Sequence, residues 1–421
     1  MSLAPRAAFL VSVTAALLLA VFIWMGPAYG MRMLVEGACL AIIAIGLTVQ
    51  WGYAGLFNAG LVGFIAVSAF AGTLVSFPVN DAFVALAGSG ALAAPVAILL
   101  GGAGLTFAAT RFRIPGLPGR LRALPALVAG VGTLLALQAA LAPTIAVLER
   151  EREWIGGLGL PVWLGWLAGG TAAGVLGWAM GRITLGLRAD YLAIATLGIA
   201  ELVVAFLKNA DWLTRGTVTV SPLPWPVPSP QELGFVFSRG LYLCVAATVI
   251  VAVYILVERA WASPWGRMMR AMRDNEQAAA AMGKDVDRRR LEIFVLGNII
   301  VGIGGAMLVT STSIFDPTSF SPLNHTFLIW VMVVVGGAGN NQGTVLGALL
   351  VYAIWTMSEP ATLLLFQVGA EWAQQAFGWS PPADLHSRAL QMRVFLIGLT
   401  IVAVLRFAPK GLLPEKTVRY E

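Results

Sequence analysis

The charge in this chain is concentrated in one stretch. Between Glu258 and Glu292 stand eight of its 27 basic residues and six of its 21 acidic ones, with long apolar runs on both sides. The pattern does not suit covalent chemistry. Gly283-Lys284 is followed by Asp285 rather than Ser or Thr, and the upstream glycine of a phosphate-binding loop is missing. No GxSxG, HExxH or Cys/His cluster occurs elsewhere. Cys39 and Cys244 lie far apart inside apolar runs and read as small packed residues. His325 and His386 are isolated loop histidines, without metal-ligand spacing. The expectation is a chain that binds no cofactor and hydrolyses nothing by itself. A charged segment of this kind has the chemistry of docking.

From Pro264 the spacing Trp265, Met268/Met269, Met272, Ala279, Met282 follows i, i+3, i+4, i+7. It predicts one amphipathic helix of about 20 residues. Arg267, Arg270, Arg273 and Asp274 fall off the apolar face, with Arg270 and Asp274 an i, i+4 pair. Such a helix can lie on a membrane surface, fill a groove on a partner, or stay a solvated loop helix. The run EQAAAAMG from Glu276 to Gly283 allows close approach of another protein, then a sharp turn.

A second group of candidates is polar at membrane depth. Glu201 lies about 16 Å along a helix from Asp190, near mid-membrane. An intramembrane carboxylate marks a functional position or a bond to a neighbouring helix. Tyr53, Asn58, Thr196 and Asn298 are further polar groups in apolar runs. With Glu201 they are the candidates for a translocation path.

The elements that position these residues are membrane spans. The 421 residues are 58% hydrophobic and 11% charged, with mean hydropathy +0.83, against about 25% charged for a soluble domain. The 47 glycines suit helices that pack closely in lipid, and the apolar runs are too long for barrel strands. The net charge of +6 fits the positive-inside rule and does not call for nucleic acid.

The expected fold is an all-α polytopic membrane protein, one transmembrane domain over residues 1–421. Ala7 to Gly30 exceeds a signal-peptide core of about 7–15 residues and reads as an uncleaved first span. Leu34 to Gln50 leads into WGYAGLFNAGLVGF. Its glycines 52, 55, 60 and 63 suit equally a tight turn or a broken helix beside a solute path. Ala91–Thr110 and Ala123–Ala146 flank an arginine-rich loop, and ERERE at 149–153 suits an external end. Further spans are Trp163–Gly181, Asp190–Lys208, Gly240–Val257, Leu291–Ser313, Thr326–Val335, Gly347–Phe366 and Val394–Phe407. The 210–233 connection is proline-rich, and Gln367–Arg388 reads as a loop suited to an interfacial helix. The count is 12 helical elements with both termini inside, or ten if 50–63 is broken and one element is re-entrant. With 258–292 placed inside, Arg32, Arg215, Arg239, Arg388 and Arg393 are exceptions, falling outside.

EQAAAAMG resembles the EAA-type loop by which ABC importer permeases dock on their ATPase. GYAGLFNAG (52–60), LRADYLAIATLGIAELV (187–203), SPWGRMMRAMRDNEQAAAAMGKDV (263–286), FLIWVMVVVGGAGNNQGTVLGA (327–348) and RFAPKGLLPE (406–415) resemble, in order, the LivM-type permease of branched-chain amino acid ABC transporters. The resemblance implies a permease subunit of an importer for branched-chain or other hydrophobic amino acids, working by alternating access in the bacterial inner membrane. It implies a LivH-type permease, two ATP-binding subunits that use the ATP, and an extracytoplasmic solute-binding protein. By position, Glu276, Ala278, Ala279 and Gly283 would contact the ATPase from a cytoplasmic coupling helix at 263–286, with Arg267, Arg270, Arg273 and Asp274 beside it.

Two departures stand out. Arg215 occupies a glycine position of a TGG-like turn, and residues 78–160 hold an extra helical pair. A related urea or short-amide importer is the near alternative. A stand-alone secondary transporter or channel is the alternative from another class, and it would call for an inverted repeat.

Overall fold

The computed structural model describes residues 3–81, 93–111, 124–150, 156–378 and 385–415. The arginine-rich loop after Arg111, the ERERE stretch beyond Arg150, Trp379 and the His386 side chain lie outside them. Among the described residues, structure is helical apart from two isolated β-bridges. Six helices are long and apolar enough to cross a membrane, with shorter apolar helices between them. This is an all-α polytopic membrane protein.

The chain opens with a helical hairpin. α1 (Leu3–Met25) and α2 (Pro27–Ala54) are joined by Gly26 at φ 85°. α2 is the axis of the molecule, its apolar stretch 94% buried. Around it follow α3 (Leu61–Ser76), α4 (Ala93–Arg111), α5 (Leu124–Arg150), α6 (Val162–Thr184), α7 (Ala189–Asn209) and α8 (Phe235–Ala262). Next come α9 (Pro264–Asp274), α10 (Glu276–Ala281), α11 (Val286–Thr312), α12 (Leu328–Gly336), α13 (Asn341–Phe377) and α14 (Leu385–Phe407).

Small residues bring the backbones together, because lipid supplies no hydrophobic drive between helices and van der Waals contact must do so. Gly46 of α2 abuts Gly297 and Val301 of α11, and Gly302 abuts Gly169 and Gly170 of α6. α7 and α8 lie outermost, 28% and 22% buried over their apolar stretches. α4 and α5 pack on each other and meet the remainder through Leu137, Leu141 and Trp212.

Both ends of the described chain reach the pole that carries the charged segment. Leu10 and Thr14 of α1 line a crevice with Gly343 and Leu413, and the tail bonds through Leu413 N–H to Gly336 O at 3.1 Å. At the opposite pole, Val220 pairs with Phe315 across the 210–234 connection. There Arg215 adopts φ 66°, a conformation that glycine takes freely.

Two expectations need correction. Gln367 to Phe377 is not a loop but the end of the 37-residue α13. Pro360 lacks an N–H for the helix ladder, yet α13 continues through it. The charged segment is not one helix of about 20 residues. Asn275, extended at φ −155°, breaks it into α9 and α10 and caps the second by accepting the Ala278 N–H at 3.0 Å.

Candidate functional site

The site begins where α2 stops. Gly55 takes φ 68°; its N–H bonds to Trp51 O at 2.9 Å, and Leu56 N–H bonds to Gln50 O at 3.0 Å. This left-handed cap satisfies the last carbonyls of the helix. Residues 55–60 then run without secondary structure, and the chain resumes as α3. The stretch is thus a six-residue connection of irregular backbone between two oppositely directed helices, since Gly46 of α2 meets Gly297 and Ile43 meets Gly304, whereas Ile65 of α3 meets Gly305. Irregular backbone at membrane depth must find its partners inside the protein. Ala59 N–H donates to Thr196 Oγ1 at 3.1 Å, Gly60 N–H to Asn58 Oδ1 at 3.0 Å and Val62 N–H to Thr326 Oγ1 at 3.1 Å. Asn58 O accepts from Trp330 Nε1 at 3.0 Å. Gly60 permits this approach, because a Cβ there would strike the Thr196 carbonyl.

Three side chains with 0% exposure form a polar knot behind the break. Asn58 Nδ2 donates to Gln50 Oε1 at 2.8 Å, and Gln50 Nε2 donates to Asn298 Oδ1 at 2.9 Å. Asn298 Nδ2 is buried without a bond. Asn58, Thr196 and Asn298, singled out from sequence, are thus brought together. Gln50, Thr326 and Trp330 were missed. Gln50 carried the same signal as Asn298, a lone amide in an apolar run; Thr326 and Trp330 carried none.

In front of the knot lies a half-open cavity of about 930 Å³, between the broken segment, α12 and the end of α14. Its wall is aromatic. Phe57 stacks on Trp330 with centroids 4.1 Å apart, and Trp51 meets Trp330 at 4.6 Å. Lys410 and Glu415 stand at one end. Such a wall holds an apolar side chain by contact and offers nothing for covalent chemistry. Among the described residues no three metal-ligating side chains gather.

The charged segment is tied to the same break. Arg273 donates from Nη1 to the carbonyl of Gly52, pairs with Glu415 at 3.1 Å and lies 3.6 Å from Asp274. Gly52 in turn sits against Gly339; a Cβ there would come 2.5 Å from Gly339 N. Arg270 does not pair with Asp274, because it turns over the Trp261 ring at 4.5 Å, leaving Asp274 to Arg273. Trp261 stacks on Tyr53 at 3.7 Å. Tyr53 is therefore buried beneath the charged segment and away from the polar knot. Met269 and Met272 are buried, as the apolar face required, whereas Met282 is 80% exposed. An open groove of about 670 Å³ runs along α9 and α10, walled by Trp265, Met268, Ala278, Ala279 and Met282, with Arg267 and Asp274 on its rim. Glu276 pairs with Arg290 at 2.7 Å, and Gly283 turns at φ 74° in open space. Glu201 stands apart, exposed on the outer face of α7 beside Leu202.

Residues 123–405 match the family described as branched-chain amino acid transport system / permease component. The probable branched-chain amino acid transport permease protein LivM of Methanocaldococcus jannaschii is 27% identical over 58% of this chain and 67% of its own length. The high-affinity branched-chain amino acid transport system permease protein LivM of Escherichia coli K12 is 28% identical over 46% of this chain. The fructose import permease protein FrcC of Rhizobium meliloti is 28% identical over 38% of this chain. The chain spans about half the length of the last two, 50% and 45%. No solved structure matches it.

Proposed function

The chain belongs to the family of branched-chain amino acid transport permeases, and from that premise we propose that it is the membrane-spanning subunit of an ATP-driven importer for branched-chain or other hydrophobic amino acids. One observation carries the reading. The charged segment grips, through Arg273, the backbone of Gly52, and five residues on Phe57 forms the wall of the aromatic cavity. A displacement of α9 therefore acts on the end of α2 and on the cavity together.

In this reading the groove along α9 and α10 receives an ATPase subunit, with Arg267, Ala278 and Ala279 at the contact and Glu276 and Gly283 shaping the second helix. The pole bearing it faces the cytoplasm. Two ATPase subunits, a LivH-type second permease and an extracytoplasmic solute-binding protein complete the importer. The second permease covers the outer face of α7, where Glu201 would otherwise meet lipid at a cost of several kcal/mol. Alternating access requires only that the ATPases bind the two states of the bundle with different affinity. An apolar cavity that holds its passenger weakly serves delivery, and the polar knot of Asn58, Gln50 and Asn298 fixes the shape of the wall.

A sugar is the second reading. The fructose permease among the relatives favours it. Uptake into vesicles holding the assembled complex separates the two: leucine, isoleucine and valine should compete with one another, while fructose and ribose should not. A chain that purifies alone, captures no ATPase and transports without ATP would refute both.

A further inference from the structure

Two of the five arginines that the positive-inside rule leaves outside stand together. Arg32 and Arg393 line one cleft of about 350 Å³ at the pole opposite the charged segment, together with Glu36, Glu359, Tyr29 and Tyr352. Arg32 precedes Gly52 by about 30 Å of helix, so this cleft is remote from the aromatic cavity.

Two ion pairs face each other across it. On α2, Arg32 Nε donates to Glu36 Oε1 at 2.8 Å, and Tyr352 of α13 donates its hydroxyl to the other oxygen of Glu36. On the far wall, Arg393 of α14 lies 3.4 Å from Glu359 and donates, also at 3.4 Å, to Trp355 O. α13 lacks one ladder bond at this point. Pro360 has no N–H for the carbonyl of Thr356, and Tyr29 supplies a hydroxyl donor to it at 3.3 Å. Thr356 Oγ1 lines the cleft and has no hydrogen-bond partner.

Capacity remains on both walls. A guanidinium carries five donors and a carboxylate about four acceptor sites; the bonds above use a minority of each. The Arg393 contacts are long, so a ligand acid group could replace them with shorter, charge-assisted ones. The four charges sum to zero. A ligand with one net charge would leave an uncompensated ion in a half-buried site, whereas a ligand carrying both signs would not. Met25, Met33 and Leu363 supply an apolar floor beside the charges, and the volume falls in the range of small-ligand sites, about 300–1,000 Å³.

We propose that this cleft binds a small zwitterion whose acid group lies on Arg393 or Arg32 and whose ammonium lies on Glu359 or Glu36. The ligand is an α-amino acid, or the ethanolamine-phosphate head of a lipid, which carries the same pair of charges. The amino-acid form rests on the import reading above and makes the cleft a station at the entry pole.

The test is equilibrium binding of radiolabelled leucine to the purified full-length chain in detergent free of phosphatidylethanolamine. Leucine should bind saturably. Leucinamide, which lacks the acid, and 4-methylpentanoate, which lacks the ammonium, should each compete at least tenfold more weakly. Glu359→Gln and Arg393→Gln should each weaken binding tenfold or more, while Gly198→Ala, with open space around the added methyl, leaves it unchanged; gel filtration of every variant separates lost binding from lost folding. If leucine does not bind but phosphatidylethanolamine co-purifies with the wild type and is lost from Arg393→Gln, the site stands with the lipid as its ligand. If neither is held, or the one-charge analogues compete equally, the proposal is overturned. If Trp330→Ala alone abolishes leucine binding, the proposal is likewise overturned, and the import reading survives it. Loss of ATP-dependent uptake for every amino acid, with the cleft still binding, would instead refute the import reading.

Discussion

Asn58 does three jobs at once. It accepts from Gly60 N–H, donates to Gln50 and holds the Trp330 indole through its own carbonyl. Replacing it with leucine strands a buried backbone donor and the Gln50 acceptor, at about 1–3 kcal/mol per group. Asn58→Leu is therefore expected to lower the thermal unfolding midpoint in detergent, whereas Gly198→Ala, with open space around the added methyl, should not. Gly60→Ala tests the same region from the backbone side. Its methyl would press on the Thr196 carbonyl, and neither backbone is free to retreat, so a loss of about 1–3 kcal/mol is expected. A midpoint unchanged in both Asn58→Leu and Gly60→Ala would mean that the break is not held as described.

At the scale of elements, the charged segment is the instructive case. Its composition was read as the chemistry of docking, which remains the proposal, and the spacing of Met269 and Met272 placed its buried face correctly. Its division into α9 and α10 was not read, because an asparagine inside a helical period signals a cap only once its backbone is seen to be extended. The irregular connection between α2 and α3 was half legible. Four glycines and Asn58 announced irregular backbone, but the partners that satisfy it, Thr196, Thr326 and Trp330, come from elements far away in sequence. Arg270 illustrates the same limit, since its i, i+4 partner lost to a tryptophan ring supplied by α8. Glu201 was expected from its depth alone, and depth says nothing of which face of α7 it occupies. The cap at Asn275 yields a prediction. Asn275→Ala removes about 1 kcal/mol from α10. If that helix docks, the affinity for the ATPase subunit should fall about fivefold, as read by titration of the purified partner; unchanged affinity would place the contact elsewhere.

For the whole molecule, the claim is an orientation and a route for force. With the charged pole in the cytoplasm, a membrane-impermeant thiol reagent added outside intact cells should label Val218→Cys and spare Lys284→Cys, in a Cys244→Ser background that removes the exposed native thiol. The reverse pattern would invert the protein. The proposed route for force runs from the groove on α9 and α10, through Arg273 and Gly52, to the cavity wall at Phe57 and Trp330. Arg273 is the link whose removal should separate ATP hydrolysis from transport. The decisive measurement is leucine uptake alongside ATP hydrolysis in proteoliposomes holding the complete complex, for the wild type and for Arg273→Ala. The account predicts that hydrolysis persists while ATP-dependent uptake falls at least tenfold. Uptake that is undiminished in the variant, or that proceeds in the wild type without ATP, would contradict it.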